Sequence, residues 1–129
     1  MYEDVMGHSH TSLCYHLIFS TKLRLRLIDQ SIEGLVWSIL WNVCVRLGFH
    51  PYAVGGVEDH IHIAVSIPPT IPVSEAIGRI KNLATREIRN TIPSCEDFEW
   101  QVGYGAFTFS HRNLDAVVRY IHHQRAHHH

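Results

Sequence analysis

Apolar and polar residues alternate in the segment LCYHLIFS, residues 13–20. One face carries Leu13, Tyr15, Leu17 and Phe19, and the opposite face carries Cys14, His16, Ile18 and Ser20. Successive side chains of a β-strand point to opposite faces of the sheet. This period of two therefore predicts a strand with one face in the core.

Three further stretches also predict strands. The first covers residues 50–57 and contains the pair Gly55-Gly56, which indicates a bend or a bulge. The second is DHIHIAVSI, residues 59–67, which stops at two prolines. The third lies near residues 105–110, after an aromatic and glycine-rich loop.

Apolar residues recur at spacings of three and four in three segments, which is the pattern of an amphipathic helix. The first segment follows Asp29, a predicted N-cap, and stops at Gly48. The second begins at Pro72 and ends before Pro93. The third follows Asn113, another predicted cap, and has an apolar stripe of Leu114, Val117, Val118 and Ile121.

The predicted elements follow the order βαββαβ, with a helix after the last strand. This order predicts an α+β fold of the ferredoxin-like or RRM-like type, in which two helices pack on one face of an antiparallel sheet. The opposite face stays open for a ligand, an extra helix or a partner subunit. A chain of 129 residues has room for one such domain, which we take to span residues 1–129.

Composition narrows the class of protein. A hydrophobic fraction of 46% with 18% charged residues indicates a folded globule and not a disordered chain. The net charge of -1 gives no global attraction to nucleic acid, so any polyanion site must be a local patch. No apolar run reaches the ~18 residues of a membrane span, and the first residues do not resemble a signal peptide. We therefore expect a cytoplasmic protein without a membrane partner.

The cysteines and the chain ends add little to the functional picture. Cys14, Cys44 and Cys95 are widely spaced among apolar residues, which predicts free thiols and not disulfides or a metal cluster. Residues 1–11 precede the first element and are expected to be flexible. The terminal run at residues 127–129 is interpreted as the remnant of an affinity tag, without function.

Two histidines lie two residues apart in the predicted third strand. His60 and His62 share one face, while Ile61, Ile63 and Val65 point to the core. On a strand the two histidine Cα atoms are about 6.5 Å apart, a separation from which two imidazoles can converge on one cation. The alternative is a pair of solvated surface histidines, and a third ligand would decide between the two.

The last helix offers such a ligand. Tyr120 and Gln124, in VVRYIHHQ, are four residues apart and therefore share a helical face beside the apolar stripe. A helix laid along the open face of the sheet would bring a phenol and an amide oxygen to the histidine pair. Periodicity alone leaves the alternative open that Tyr120 is a packing residue.

Together these residues resemble a known family. The carrying segments are Asp59-His60-Ile61-His62, WQVGYGAFTFS, VVRYIHHQ and the opening YHLIFSTKLR. They are similar to the single-tyrosine HUH transposases, the family of the insertion sequence 200/605 kind and of the tyrosine transposases associated with repetitive extragenic palindromes. The resemblance spans residues 13–126, and the combination is far more specific than the three-residue histidine motif.

The resemblance implies a divalent-metal enzyme that cuts and rejoins single-stranded DNA through a covalent tyrosine. By position it implies that His60, His62 and Gln124 are the metal ligands and that Tyr120 is the nucleophile. It also implies recognition of a DNA hairpin. A homodimer is implied as well, in which the tyrosine helix of one subunit can complete the active site of the other.

The chemistry of these residue types agrees with that role. Two imidazoles and one amide oxygen leave coordination positions for water and phosphate oxygens, a mixed set that suits Mg²⁺ or Mn²⁺. Such a cation polarises a scissile phosphate. Only about one tyrosine in a thousand is ionised at pH 7, so the attack requires a nearby cation or base. The expected products are a 5′-phosphotyrosine and a free 3′-hydroxyl.

Basic residues that can grip DNA phosphates fall into two groups. The first follows the opening strand and consists of Lys22, Arg24 and Arg26. The second forms one stripe on the second helix and consists of Arg79, Arg86 and Arg89, with the neutral Asn82 in the same stripe. A solvated helix face is the alternative for the second group, since cations near a helix C-terminus are favourable in themselves.

Other residues are candidates for supporting roles. Four aromatic residues can stack on bases, or fill the core or a dimer contact: Trp100, Tyr104, Phe107 and Phe109. His16 lies on the histidine-bearing face of the first strand and can neighbour the metal site. Glu58, beside the histidine pair, can orient a histidine or be solvated.

Two other classes of function remain open. One is a hairpin-binding protein on the same fold without catalysis, which the near-neutral charge and the few residues after Gln124 favour. The other is a small metal-binding protein without a nucleic-acid role, which the histidine count favours. Metal-dependent nicking of a hairpin oligonucleotide, lost in Tyr120→Phe with binding retained, separates the transposase from the hairpin binder. The metal-binding protein predicts tight metal uptake and no salt-dependent affinity for single strands.

Overall fold

The computed structural model describes residues 13–127, except for the side chain of residue 127. The strands within this range are β1 (Leu13–Ser20), β2 (His50–Val57), β3 (His60–Ile67) and β4 (Gly105–Thr108). The helices are α1 (Glu33–Arg46), α2 (Val73–Thr91), α3 (Leu114–His122) and the short α4 (Gln124–His127). The expectations for residues 1–11 and for the last two histidines lie outside the described residues. In the part of the chain that is described, none of the helices combines the length and apolar character of a membrane span.

The strands form one antiparallel sheet in the order β2-β3-β1-β4. The central strands are β1 and β3, in whose register Ile18 lies opposite His62. Helix α1 connects β1 to β2, and helix α2 connects β3 to β4. This arrangement is the ferredoxin-like α+β fold, so the predicted fold class is confirmed.

Helices α1 and α2 cover the face of the sheet that carries the isoleucines of β3. Ile61 and Ile63 are fully buried there, together with Leu40 of α1 and Ile80 of α2. Burial of each such side chain contributes about 1.5–3 kcal/mol. The three cysteines are buried free thiols, as predicted.

Helix α3 packs on the opposite face of the sheet, against β2 and β3. Ile121 is buried there against Ala53 and Ala64. The two valines of the predicted stripe, Val117 and Val118, are partly buried and pack beside it. Gly55 permits this close approach, because a Cβ at that position would lie 2.5 Å from the backbone oxygen of Ile121. The extra helix expected on this face is therefore α3 of the same chain, and it covers part of the face.

Two local predictions differ from the structure. The N-cap of α1 is Ile32 and not Asp29, because the Asp29 carboxylate accepts a hydrogen bond from Ser31 and its carbonyl accepts from the Ile32 amide in a preceding turn. The irregularity in β2 lies between Pro51 and Ala53 and not at the glycine pair. The first of the paired glycines serves the approach of α3 instead.

Candidate active site

Three histidines from β1 and β3 lie together on the face that α3 covers. The ring centroids of His60 and His62 are 5.2 Å apart, and those of His16 and His62 are 5.1 Å apart. His60 is 8% exposed and His62 is 4% exposed. The alternative of two solvated surface histidines is therefore wrong.

The Nδ1 atoms of His60 and His62 each contact a neighbouring side chain. Nδ1 of His60 lies 2.8 Å from Oδ1 of Asp59, and Nδ1 of His62 lies 2.8 Å from Nε2 of His16. A proton on Nδ1 of each ring satisfies both contacts, because a carboxylate and a neutral imidazole nitrogen accept hydrogen bonds. In this tautomer Nε2 carries the lone pair with which an imidazole binds a metal.

The ionisation of the two acceptors favours this tautomer. Burial lowers the pKa of His16, which keeps the ring neutral and able to accept. Burial acts to raise the pKa of Asp59, but the hydrogen bond from His60 and the charge of Arg24 outweigh it and the pKa falls below its ordinary value. Asp59 is therefore a carboxylate at neutral pH beside His60.

Tyr120 approaches the histidines from α3 of the same chain. Its ring centroid lies 5.8 Å from that of His62 and 5.9 Å from that of His16. Tyr120 is 42% exposed. The phenol thus borders the buried histidines and remains accessible to a substrate from solvent.

Gln124 follows Tyr120 by four residues but belongs to a separate helix. Between α3 and α4, His123 leaves helical geometry with φ -112° and ψ 30°. The side-chain nitrogen of Gln124 donates to the backbone oxygen of Tyr120 at 3.1 Å, and the residue is 1% exposed. The pattern predicted one continuous helical face for both residues, whereas the structure buries one and leaves the other accessible.

The donor types at this site fit a divalent cation. His60 and His62 offer imidazole nitrogens, and the Gln124 amide has its nitrogen in a backbone hydrogen bond, which leaves its oxygen as the atom that would bind a cation. Within residues 13–127, no three side chains of the His, Cys, Asp or Glu type are grouped so that they could hold a metal ion. The predicted ligand set differs from such a group, because its third ligand is the amide of Gln124 and not a histidine, cysteine or carboxylate.

Glu58 lies in the turn before β3 and contacts arginines, not a histidine. With Asp59 it forms the two-residue turn that joins Val57 of β2 to His60 of β3, so it does not belong to the histidine row. Its carboxylate oxygens accept hydrogen bonds from Nη1 of Arg125 at 3.1 and 3.2 Å. The expectation for Glu58 is corrected, since Asp59 is the turn residue that contacts a histidine of the pair.

Arg24 reaches the site from a strained turn after β1. Its Nη2 lies 3.3 Å from Oδ2 of Asp59 and 3.5 Å from Nδ1 of His60. Leu23 and Arg24 have φ angles of 57° and 53°, in the left-handed region that costs a non-glycine residue about 1 kcal/mol or more. Arg24 and Arg26 line a cleft of about 280 Å³ next to His60.

The other predicted DNA-binding residues are not gathered at this cleft. Nζ of Lys22 pairs with Glu99 at 3.1 Å, and both side chains are about half exposed. Arg79 and Arg86 are exposed on α2, which packs on the isoleucine face of the sheet. Arg79 pairs there with Glu75, one turn earlier. The structure therefore places Arg79 and Arg86 on the side of the sheet away from the histidines.

Of the four aromatic residues that are candidates for base stacking, two are packed against the protein and two are exposed. Trp100 packs on Phe19 with 4.8 Å between ring centroids, and Phe109 packs beside Ile121. Tyr104 is 45% exposed and Phe107 is 59% exposed, and both line a groove of about 340 Å³ along β4. The Phe107 ring lies 6.5 Å from that of His16, so this groove adjoins the site.

Comparison with known proteins identifies the family. The family model described as "Transposase IS200 like" matches residues 9–124. The chain belongs to the IS200-like transposase family. A transposase for insertion sequence element IS200 from Salmonella typhimurium is 26% identical over 128 residues, which cover 95% of this chain and 83% of that protein. The ISDra2 transposase TnpA of Deinococcus radiodurans is 20% identical over 112 residues, which cover 83% and 80%.

Two solved structures share the fold of this IS200-like transposase. One is a Deinococcus radiodurans protein assigned as a transposase, with a TM-score of 0.72 and 21% identity over 92% of this chain and 95% of that chain. The other is a REP-associated tyrosine transposase bound to a REP hairpin, with a TM-score of 0.66 and 14% identity over 92% of this chain and 69% of that chain. The family resemblance seen in the sequence is confirmed, and with it a role in DNA transposition.

Proposed function

We propose that this IS200-like transposase cuts and rejoins single-stranded DNA beside a hairpin, with Tyr120 as the nucleophile and a divalent cation bound by His60, His62 and Gln124. The observation that carries the proposal is the convergence of Tyr120 with the histidines in one chain, 5.8 Å from His62 between ring centroids. An exposed phenol beside buried imidazoles is the arrangement that a tyrosine nucleophile at a metal site requires.

The chain's own residues have distinct roles in this reaction. The Tyr120 phenol oxygen bonds to the scissile phosphorus, the bond from phosphorus to the 3′ oxygen breaks, and the phenolic proton is balanced by the proton gained at the 3′-hydroxyl. Attack by a 3′-hydroxyl on the phosphotyrosine reverses the step on a new junction. Mg²⁺ or Mn²⁺, when bound, would polarise the phosphate and screen its charge. Asp59 and His16 hold the protons on the Nδ1 atoms of the ligand histidines.

Hairpin recognition is proposed by comparison and by local charge. The REP-associated relative is bound to a REP hairpin. Beside His60, Arg24 is exposed and able to contact phosphate, and Tyr104 and Phe107 offer faces on which bases can stack. A homodimer and a cytoplasmic location stay predictions.

A covalent-adduct assay tests the nucleophile. Wild-type protein is incubated with a single-stranded hairpin oligonucleotide and Mn²⁺, and the denatured mixture is separated on a gel. Tyr120→Phe is expected to bind the oligonucleotide and to form no adduct. Tyr104→Phe is the matched control, because Tyr104 is 45% exposed and Tyr120 is 42% exposed. An adduct that persists in Tyr120→Phe would contradict the assignment.

The same assay separates the other functions. The wild-type protein could bind the hairpin in a salt-dependent way and form no covalent adduct with any divalent cation present. This result would favour a hairpin-binding protein without catalysis. Tight metal uptake without affinity for single strands would favour a metal-binding protein.

A further inference from the structure

Arg125 immediately follows Gln124, and its guanidinium joins three elements of the fold. Nη1 lies 3.2 and 3.1 Å from the two carboxylate oxygens of Glu58 in the β2–β3 turn. Nη2 lies 2.6 Å from Oε1 of Glu33 in the first turn of α1. The reaction proposed above assigns no role to these three side chains, which we call the Arg125 cluster.

The Arg125 cluster is more than an exposed ion pair. All three side chains are at most one-third exposed, and Glu58 is the least exposed at 15%. The Glu58 carboxylate accepts hydrogen bonds from Nη1 of Arg125 and also pairs with Nη2 of Arg26 at 3.4 Å. Hydrogen-bonded ion pairs that are partly shielded from water are stronger than solvated surface pairs.

The segment that the cluster holds has little intrinsic stability. Helix α4 is one turn long, and a helix of that length does not form by its own propensity. The break at His123 also separates it from α3, so the position of α4 depends on contacts with the rest of the fold. Arg125 supplies such contacts through residues 67 and 92 positions away along the chain.

Both ends of the cluster are adjacent to residues of the proposed cation site. Arg125 is next to Gln124, and Glu58 is next to Asp59, which contacts Nδ1 of His60. We propose that Arg125 is a positioning residue for the cation site, because it ties the turn that carries Gln124 to the turn that leads into His60. This inference rests on the proposed ligand set. A ligand group displaced by 1 Å is enough to weaken a metal site.

Titration of the DNA-free protein with Mn²⁺ in a calorimeter tests this role. Arg125→Gln is expected to weaken Mn²⁺ binding by about 10- to 100-fold, the range found when groups that orient metal ligands are removed. Arg125→Lys keeps the charge but cannot form bidentate hydrogen bonds, so its Mn²⁺ affinity is expected to lie between those of wild type and Arg125→Gln. Arg46→Gln is the matched control, since it removes an arginine of α1 that pairs with Glu87 of α2 and should leave Mn²⁺ affinity unchanged.

Two further measurements distinguish positioning from general destabilisation. Hydrogen exchange of the metal-free protein is expected to accelerate in residues 123–127 of Arg125→Gln and to stay unchanged in β3. Glu58→Gln weakens the contact between Arg125 and the β2–β3 turn from the other side, together with the ion pair between Glu58 and Arg26. It is expected to reproduce the loss of Mn²⁺ affinity, which covers the case in which Arg125→Gln does not fold.

The outcomes separate this inference from the proposed function. Weakened Mn²⁺ binding in Gln124→Ala together with wild-type binding in Arg125→Gln and Glu58→Gln would overturn the positioning role alone. Unchanged Mn²⁺ binding in both Gln124→Ala and His62→Ala would overturn the ligand set and the positioning role together.

Discussion

His16 and His62 are joined across neighbouring strands by a contact of 2.8 Å between Nε2 of the first and Nδ1 of the second. His16 is paired in register with Ala64, so the contact to His62 is diagonal. A histidine outside the proposed ligand set therefore orients one inside it. The His62 nitrogen that would bind the proposed cation depends on this partner, because a proton held on Nδ1 leaves the lone pair on Nε2.

Replacement of His16 is expected to weaken the cation site. His16→Phe keeps an aromatic ring but cannot accept from Nδ1 of His62, and Mn²⁺ affinity should fall by about 10-fold or more. His16→Gln retains an acceptor and should lose less. Calorimetric titration measures both, with His50→Phe on the edge strand β2 as the control. Equal affinities for wild type and His16→Phe would show that His62 is oriented by other contacts.

Gly55→Ala is expected to displace α3 from the sheet. The added Cβ would lie 2.5 Å from the backbone oxygen of Ile121, and relief of such overlap costs about 1–3 kcal/mol of unfolding free energy. Adduct formation by Tyr120 should fall with it. Gly78→Ala is the control, because a Cβ there meets nothing within 4 Å and should stabilise α2 by about 0.5–1 kcal/mol. Denaturant unfolding measures both, and a fully stable Gly55→Ala would refute the steric argument.

Arg24→Ala is expected to change the salt dependence of DNA binding. Removal of one phosphate contact on a single strand should lower the slope of log affinity against log salt by about 0.7. Arg79→Ala should leave the slope unchanged, because Arg79 is exposed on α2, which packs on the face of the sheet opposite to the histidines. Fluorescence anisotropy with a labelled hairpin oligonucleotide gives both slopes. The opposite result would place the DNA along α2.

Phe107→Ala and Tyr104→Ala are expected to weaken binding of single strands without a change in salt slope. Loss of a stacked base costs about 1–3 kcal/mol and involves no phosphate. Trp41→Ala removes an exposed aromatic side chain from α1 and serves as the control. The same anisotropy assay applies. Loss of affinity in Trp41→Ala alone would move the single strand to the α1 surface.

Cys44 makes the stability of the protein sensitive to alkaline pH. Burial raises the pKa of its thiol from 9.0 to about 12, so above pH 9 the unfolded chain releases a proton that the folded chain keeps. The folded state should lose roughly 1 kcal/mol through this residue between pH 7 and pH 10. Cys44→Ala lacks this loss. Unfolding free energies of both proteins at the two pH values test it, since the cost of the alanine cavity cancels in the comparison.

Sequence patterns were sufficient where neighbouring residues determine the structure. Gly48 was predicted to end the first helix, and it does so with φ of 84° while the Phe49 amide donates to the Cys44 carbonyl. The alternation in β1 likewise placed Leu17 in the core and His16 on the histidine face. These features depend on local spacing, which the sequence displays directly.

Features set by distant segments could not be predicted in this way. The surroundings of His60 include Arg24, which lies 36 positions away along the chain and has Nη2 3.5 Å from Nδ1 of His60. The partners of Arg125 lie 67 and 92 residues away, and no spacing connects them. The break at His123 has no glycine or proline to mark it. The candidate residues could be identified from the sequence, but their contacts with one another depend on how α3 and α4 pack on the sheet.

The interruption between α3 and α4 lies between Tyr120, which is exposed to solvent, and Gln124, which is buried. In the proposed reaction Tyr120 would meet a DNA strand from solvent, whereas the amide oxygen of Gln124 would hold a cation best where water does not compete for the ion. An unbroken helix would present both side chains to the same medium. The irregular backbone at His123 would let the protein meet both requirements within five residues, and a variant with a regular helix there would meet one at the expense of the other.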